Sequence, residues 1–232
     1  GYLGCPTTVN NVETLATATQ ILNHDSAWFR AMGTPVSAGT KLLSVSGDCD
    51  RPGIYEVEWG LTLKKLLEMA GAREAMAIQV GGASGQCLSE TGFGRKFCYS
   101  DLATGGSIII FNKTRDVFYI IRNFLDFFIE ESCGWCTPCR AGNVFLKKKL
   151  EKIVSGLGTA SDLAEIETWG KLIKATSRCG LGQTSPNPVL TTLANFRGLY
   201  DKQINKETDF MSEFDLRRAV EEACLITDRE FE

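Results

Sequence analysis

The sequence predicts an α+β protein in which a small sheet module precedes a bundle of helices. Residues 41–59 alternate apolar and polar side chains on both sides of a turn, which is the pattern of a β-hairpin. From Asp116 onward this alternation stops, and apolar side chains recur at helical spacing. A chain of 232 residues is long enough for two such domains.

Residues 1–38 are predicted to be largely helical. Asn10 followed by Glu13 fits a capping box, and apolar residues at helical spacing come directly after them. Asn10 and Asn11 would then lie where a loop enters a helix, and free N–H groups at such a place can bind an anion such as a phosphate. Capping alone is the alternative explanation for these two asparagines.

Residues 39–114 combine the hairpin with one helix and further strands. The apolar face expected for the helix consists of Leu63, Leu66, Leu67 and Ala70. Gly71 is a natural end for that helix. Residues 77–80 and 107–111 are predicted to be short strands. A hairpin, a helix and further strands in this order make a β-grasp-like module.

Residues 115–232 are predicted to form the helical bundle. Helices are expected over residues 117–131, 141–154, 161–175, 188–200 and 214–226. On the second of these helices, the side chains expected to face the interior are Val144, Phe145, Leu150 and Ile153. The charged end of the chain, residues 227–232, is expected to fray.

The composition excludes several classes of protein. A net charge of −3 is unlike that of nucleic-acid binders, which need a basic surface to neutralise phosphates. The longest apolar stretch, residues 117–129, is interrupted by polar side chains and is too short to span a bilayer. The first residues have neither the charged nor the apolar region of a signal peptide. We therefore expect no nucleic-acid partner, no direct membrane insertion, and a location in the cytoplasm.

The nine cysteines indicate a reduced protein with one metal centre. Their number is odd, and a chain of this length does not need disulfides to fold. Five are expected to be small buried apolar side chains, namely Cys5, Cys49, Cys87, Cys98 and Cys224. The other four cysteines are the candidate ligands of a metal centre.

Those four cysteines have the spacing of an iron–sulfur site. Three occur at every third position and the fourth lies farther along the chain, and short runs completed by a distant cysteine bind iron–sulfur clusters. The candidate ligands of a [4Fe–4S] cluster are Cys133, Cys136, Cys139 and Cys179. Gly134 permits a tight turn, and Pro138 fits the first turn of a helix. Arg140 adds positive charge beside a negatively charged cluster.

Other uses of these cysteines fit the spacing less well. Structural zinc usually takes two CxxC pairs, whereas the distant partner here is the single Cys179. A thioredoxin-like CxxC lies at a strand-to-helix turn, whereas here a helix precedes it. A two-cluster ferredoxin has its fourth cysteine nearby, followed by proline. A zinc-stabilised interaction domain stays open as the alternative of another class.

Three segments resemble motifs of one family, the NADH-oxidising flavoprotein subunits. This family includes the flavoprotein subunit of respiratory complex I and the diaphorase subunits of NAD-reducing hydrogenases and NAD-dependent formate dehydrogenases. Residues 131–142 are similar to the cluster loop of the family. Residues 6–14 resemble its flavin-wrapping motif, and residues 179–182 resemble the segment that carries the last cluster ligand.

The resemblance implies a role for each of these segments. The four cysteines would bind one [4Fe–4S] cluster. The residues that would contact FMN are Val9, Asn10, Asn11, Thr14, Gly180 and Leu181. Because the family often has alanine at the position of Gly180, a contact through the backbone is expected there.

The resemblance also implies that a part of the family's pattern is missing. In the family, an N-terminal domain contains most of the FMN and NADH contacts, whereas this chain begins at the second flavin motif. We therefore expect either the C-terminal portion of a longer subunit or a chain whose FMN- and NADH-binding first half is supplied separately as a partner. In both cases the chain would be inactive alone, with residues 1–38 as a helical remnant of the flavin-binding domain.

The function implied is an electron relay between FMN and other iron–sulfur subunits, with NAD(H) as substrate of the whole enzyme. Residues 180–188 are more similar to the soluble hydrogenase and formate dehydrogenase relatives than to complex I. A soluble NAD-reducing hydrogenase is therefore the expected parent, and complex I or a formate dehydrogenase is the alternative. The resemblance to complex I also implies the cytoplasmic face of a membrane complex as the alternative location.

Overall fold

The structure, a computed structural model, describes residues 1–204 and residue 226 and divides into two compact units. The first unit is Gly1–Ile120 and the second begins at Ile121. The α+β class predicted from the sequence is confirmed. The finer division of the first unit at residue 38 stays a prediction. Cys224 and most of the helix predicted over residues 214–226 lie outside the described residues.

The first unit begins with two helices, α1 (Val12–Asn23) and α2 (Ser26–Arg30). The residue that caps α1 is Asn11, whose Oδ1 accepts the backbone N–H of Glu13 at 2.9 Å. The predicted capping box of Asn10 with Glu13 is therefore wrong, because the helix begins one residue later than that pattern requires.

The Glu13 side chain joins α1 to the first strand of the sheet instead of reaching back to a cap. Its Oε1 accepts the backbone N–H of Leu42 at 2.8 Å, and its Oε2 pairs with Lys41. Partial burial disfavours the ionised carboxylate, but the Leu42 N–H and the Lys41 ammonium outweigh it and lower the pKa of Glu13. A charged group that would otherwise cap its own helix thus anchors that helix to the sheet.

The sheet of the first unit has five strands in the order β2-β1-β5-β3-β4. Its strands are β1 (Thr40–Gly47), β2 (Gly53–Glu58), β3 (Ala75–Val80), β4 (Gln86–Ser89) and β5 (Ser107–Asn112). The first and last strands are parallel neighbours, and all the other pairs are antiparallel. This is the topology of a β-grasp module. Strand β4, which is only four residues long, was not predicted from the sequence.

Helix α3 (Leu63–Ala70) covers the sheet and contributes to its core. Its buried side chains are the four predicted ones, Leu63, Leu66, Leu67 and Ala70. The Thr62 hydroxyl caps it by accepting the N–H of Lys65 at 3.2 Å, and Gly71 ends it with a φ of +67°. Sheet residues in the same core include Leu43, Ile78, Ile108 and Ile110. Burial of each such side chain contributes about 1.5–3 kcal/mol.

The remaining helices belong to the bundle. They are α4 (Val117–Glu130), in which the boundary between the units falls, α5 (Thr137–Val154), α6 (Ala160–Thr176), α7 (Gly180–Thr184), α8 (Asn187–Asn195) and α9 (Arg197–Gln203). The helix predicted over residues 188–200 is broken at Phe196, whose backbone is not helical. The short α7 had not been predicted. Within the described part of the chain, no helix is long and apolar enough to cross a bilayer.

Helices α5 and α6 pack against each other in antiparallel directions. A Cβ at Gly142 of α5 would lie 2.5 Å from the Ile173 side chain of α6, so the helices approach closely there. Leu150 and Ile153 face inward as predicted, whereas Val144 and Phe145 are exposed, which corrects that part of the prediction. The inward stripe of α5 includes Cys139, Gly142, Asn143 and Leu146. Because this stripe contains polar and small side chains, the spacing of apolar residues in the sequence did not indicate its position.

A buried carboxylate joins the other ends of the same two helices. Asp162 of α6, with a side chain 3 % exposed, lies 2.5 Å from Lys149 Nζ and 2.7 Å from Lys152 Nζ. It also accepts the backbone N–H of Thr159 at 2.9 Å in a capping box. Burial alone would raise the pKa of Asp162, but the hydrogen bonds from the two lysines and Thr159 lower it to about 2.

We expect Asp162→Asn to destabilise the α5–α6 pair by about 2 kcal/mol at pH 7, because a lowered pKa measures how strongly the folded state favours the carboxylate. The contribution is fully present above the unfolded pKa near 4 and disappears as the pH falls towards about 2. Urea unfolding followed by circular dichroism at several pH values should therefore show the two proteins converging in stability as the solution is acidified.

The matched control is Glu167→Gln on the same helix. Glu167 pairs with Arg197 at 3.3 Å, but the side chains are 42 % and 49 % exposed. Exposed pairs contribute about 0–1 kcal/mol, so this variant should unfold close to the parent protein at every pH. Equal effects of the two substitutions would contradict the role given to Asp162.

Candidate metal centre

The loop between α4 and α5 is curled by its own hydrogen bonds. Gly134 has a φ of +74°, in the left-handed region that favours glycine, as expected from the sequence. The Ser132 hydroxyl accepts the Gly134 N–H at 3.3 Å, and Arg140 Nη1 donates to the Gly134 carbonyl at 3.0 Å. The residues that flank the cysteine run on its two sides are thereby both bonded to Gly134.

The run leads directly into the first turn of α5. Cys136 is the residue that precedes the helix, Pro138 lies in its first turn, and Cys139 follows as a buried side chain. The N–H groups of a first turn carry partial positive charge, which favours thiolates over thiols. The prediction that Pro138 lies in the first turn of a helix is confirmed.

The segment around Cys179 lies against this loop. The backbone N–H of Arg178 lies near the Cys136 sulfur and is the largest of the influences that lower the pKa of Cys136. A Cβ at Gly182 would lie 3.0 Å from Cys139 Cβ. Contacts therefore exist on both sides of Cys179, which precedes the first turn of α7. The fold brings the distant cysteine's segment to the CxxCxxC loop.

The four candidate ligands differ in exposure. Cys133 and Cys179 are exposed, Cys136 is half-buried and Cys139 is buried, and all four are free thiols. Among residues 1–204 and 226, no three His, Cys, Asp or Glu side chains are grouped so as to hold a metal ion. The structure thus brings the two segments together without gathering the sulfurs as a set, and the assignment of the four cysteines as ligands stays a prediction.

The Cys139 sulfur lies among polar groups that no sequence motif had indicated. Ser132 Oγ lies 3.4 Å from it, and Asn143 Nδ2 donates to it at 3.6 Å. Asn143 lies one helical turn after Cys139, on the same face, and this spacing was the available signal. Donors around a buried sulfur are the surroundings that a negatively charged iron–sulfur cluster requires, so these residues fit such a cluster.

Two buried polar atoms near Cys139 are unsatisfied. In the part of the chain that the structure describes, Asn143 Oδ1 and Ser177 Oγ have no hydrogen-bond partner. A Cβ at Gly182 would lie 2.7 Å from the Ser177 side chain, so Ser177 lies beside the close approach of Gly182 to Cys139. Each unsatisfied buried group costs about 1–3 kcal/mol, and such groups call for an explanation beyond packing.

The remaining cysteines follow the sequence prediction only in part. Cys87 and Cys98 are buried as expected, and burial raises the pKa of Cys87 to about 12. Cys49 is half-buried and packs against the sheet core. Cys5 is exposed, which corrects the prediction, because it lies in an N-terminal segment in which no residue is buried.

The residues predicted to contact FMN are divided between the two units. In the first unit, Asn11 and Thr14 line a cavity of about 490 Å³, whereas Val9 is 94 % exposed and Asn10 is exposed. In the second unit, Gly180 and Leu181 form the start of α7, with Gly180 exposed and Leu181 half-buried. Their assignment to FMN stays a prediction.

Known proteins share the part of the chain that contains these cysteines. Residues 119–203 match the NADH-ubiquinone oxidoreductase-F iron–sulfur binding region. The chain is 53 % identical to the NAD-reducing hydrogenase HoxS subunit alpha of Cupriavidus necator, over 95 % of this chain and 37 % of that protein. It is 36 % identical to an NADH-quinone oxidoreductase subunit of Mycobacterium tuberculosis, over 86 % of this chain and 47 % of that protein.

A solved structure shows the same fold. The crystal structure of an NAD⁺-reducing [NiFe]-hydrogenase in the H₂-reduced state superimposes with a TM-score of 0.83 at 38 % identity. The alignment covers 100 % of this chain and 41 % of that one.

The chain therefore carries the iron–sulfur binding region of a family of oxidoreductase subunits that serve NADH-quinone oxidoreductases and NAD-reducing hydrogenases. It is a homologue of the Mycobacterium tuberculosis subunit and of the HoxS subunit alpha, and the resemblance seen in three sequence motifs is confirmed. The chain spans less than half the length of each of these relatives.

We expect Gly182→Ala to reduce the iron content of the protein. The added methyl group would lie 2.7 Å from Ser177 and 3.0 Å from Cys139 Cβ, so α7 must move away from the cysteine loop. Such overpacking costs about 1–3 kcal/mol. Iron and sulfide analysis after anaerobic purification measures the effect.

Gly180→Ala is the matched control. Nothing lies within 4 Å of a Cβ at Gly180, so this variant should retain the iron content of the parent protein. If Gly182→Ala also retained its iron, the close contact between α7 and Cys139 would not matter for the site.

Proposed function

We propose that this chain is the electron-relay part of an NAD(H):acceptor oxidoreductase subunit. In this proposal Cys133, Cys136, Cys139 and Cys179 hold one [4Fe–4S] cluster. The observation that supports it most directly is the contact of the Cys179 segment with the loop at both Cys136 and Cys139. A loop that offers three thiols and a remote segment that offers the fourth suit a cluster with four irons.

The protein's own groups would prepare the site for a negatively charged cluster. The N–H of Arg178 and the first turn of α5 favour the thiolate of Cys136. Arg140 places a positive charge on the loop through its hydrogen bond to Gly134. When bound, the cluster supplies one-electron transfer, and these groups influence its reduction potential.

The flavin part of the proposal rests on the sequence motifs. Val9, Asn10, Asn11, Thr14, Gly180 and Leu181 would contact FMN, which supplies hydride chemistry with NAD(H) when bound. Most of the FMN and NADH site would belong to an N-terminal domain, so the chain alone would not oxidise NADH. The greater length of the relatives supports this, as does α1, which has no buried residue and leaves Val12 and Leu22 largely exposed.

A soluble, cytoplasmic NAD-reducing hydrogenase is the parent enzyme that the comparisons favour. The identity is 53 % with a hydrogenase subunit and 36 % with an NADH-quinone oxidoreductase subunit. The partners would then be the other iron–sulfur subunits of a multi-subunit redox complex, which receive or deliver electrons singly. A complex I or formate dehydrogenase subunit is the alternative parent.

Metal analysis tests the cluster. The anaerobically purified protein should contain about four irons and four sulfides per chain and absorb visible light. Cys179→Ala should lose most of this iron, or retain a cluster with an altered spectrum, because one of four corners has no protein ligand. One zinc per chain without visible absorption would overturn the proposal in favour of a zinc-stabilised interaction domain.

Cys5→Ala is the control for the loss of an exposed thiol. Cys5, like Cys179, is exposed, but it precedes the helices of the first unit and is not a candidate ligand. The spectrum and iron content of the Cys5→Ala protein should equal those of the parent protein. An unchanged spectrum in Cys179→Ala would instead remove Cys179 from the ligand set.

The full-length subunit tests the flavin contacts. Asn10→Ala should weaken FMN binding about fivefold, since one lost hydrogen bond is worth about 1 kcal/mol. The helix α1 should persist because Asn11, not Asn10, caps it. FMN released on heat denaturation gives the occupancy, and Asn23→Ala at the far end of α1 should release as much FMN as the parent protein. Equal occupancy in all three would remove Asn10 from the flavin site.

A further inference from the structure

We propose that Asn143 is a positioning residue that raises the reduction potential of the cluster through its hydrogen bond to the Cys139 sulfur. The proposal rests on the proposed function, because it takes Cys139 to be a cluster ligand. It adds a residue outside the cysteine set, on a helix face that otherwise carries apolar or small side chains.

The Asn143 side chain is placed for donation to sulfur. It lies one turn after Cys139 on α5 and is completely buried. Its Nδ2 donates to Cys139 Sγ at 3.6 Å, whereas its Oδ1 has no partner within residues 1–204 and 226. A leucine at this position would avoid the unsatisfied oxygen. Among the residues that the structure describes, the bond to Cys139 is the one hydrogen bond of this side chain, and it accounts for an asparagine here.

A second donor converges on the same sulfur. Ser132 Oγ lies 3.4 Å from Cys139 Sγ and also accepts the Gly134 N–H. A cysteine sulfur that ligates a cluster is a thiolate and can only accept, so the Ser132 hydroxyl would be the donor of this pair. Among the four candidate ligands, Cys139 is the buried one, and hydrogen bonds in a medium of low dielectric constant are stronger.

Hydrogen bonds of this kind favour the reduced cluster. Reduction adds one electron, so the sulfurs carry more negative charge and accept hydrogen bonds more strongly. A donor at a ligand sulfur therefore stabilises the reduced state more than the oxidised state and raises the potential. Removal of the Asn143 donor should make the cluster harder to reduce.

The experiment is a redox titration of the full-length subunit, followed by electron paramagnetic resonance, in the parent protein, Asn143→Leu and Asn143→Asp. In Asn143→Leu the ratio of reduced to oxidised cluster at a fixed potential should fall about tenfold, which is a shift of about 59 mV for a one-electron couple. In Asn143→Asp this ratio should fall further, because the substitution replaces the hydrogen-bond donor by a negative charge. An unchanged potential in an Asn143→Leu protein with full iron content overturns the proposal.

Thr192→Val is the control for a general disturbance of the bundle. Thr192 is also a buried polar residue of the second unit, but its hydroxyl contacts Tyr200 and the α8 backbone. The reduction potential of the cluster in the Thr192→Val protein should equal that in the parent protein. A shift as large as that of Asn143→Leu would show that loosened packing explains both, and would overturn the proposal.

A second measurement needs no variant. Parent protein labelled with ¹⁵N only in asparagine side-chain amides should show a hyperfine coupling between ¹⁵N and the reduced cluster in pulsed electron paramagnetic resonance. Its absence contradicts the hydrogen bond even if Asn143→Leu fails to assemble. Where Asn143→Leu does assemble, the coupling should disappear in it, and a coupling that persists counts against the proposal.

The proposal of a cluster and the proposal for Asn143 can be disproved separately. If the parent protein contains no iron and sulfide, the proposed function is wrong and this proposal falls with it. If the parent protein contains the cluster but the Asn143 variants leave its potential unchanged, only the role of Asn143 is wrong.

Discussion

The contact between the residue 178–182 segment and the N-terminal turn of α5 is the constraint on which the candidate site depends. The Arg178 N–H at the Cys136 sulfur and the close approach of Gly182 to Cys139 leave Cys179 beside the cysteine loop. These contacts use backbone and small side chains, which permit a shorter approach than large ones. Any change that separates α7 from α5 would separate the fourth thiol from the other three.

The antiparallel pair α5–α6 is what returns the chain to this place. The two helices have 18 and 17 residues, so each is about 26 Å long, and the end of α6 lies level with the start of α5. Asp162 and its two lysines join the pair at one end, and the Gly142–Ile173 contact lies towards the other. The stability of the bundle and the geometry of the site therefore depend on the same packing of α5 against α6, since both require these helices in this register.

Several parts of the structure could be predicted from local patterns. The apolar face of α3 followed from its periodicity. The start of α5 at Thr137 agrees with Pro138, whereas periodicity placed the start of that helix at residue 141. The predictions failed where tertiary contacts outweighed local signals. Glu13, a good capping residue by spacing, binds Leu42 and Lys41 of a strand far along the chain. The inward stripe of α5 was misplaced because it includes Asn143, and buried polar residues do not contribute to an apolar period.

The sequence by itself determined the class of fold and the four candidate ligands, because hydrophobic periodicity and cysteine spacing are local and need no knowledge of the third dimension. Three short segments of the sequence carried the resemblance to the family. Only the tertiary structure decided which groups surround those ligands. Ser132, Asn143 and Gly182 meet at Cys139 because the loop curls and because α6 returns the chain to α5. Contacts between residues distant in sequence depend on how helices pack, and no short motif records that packing.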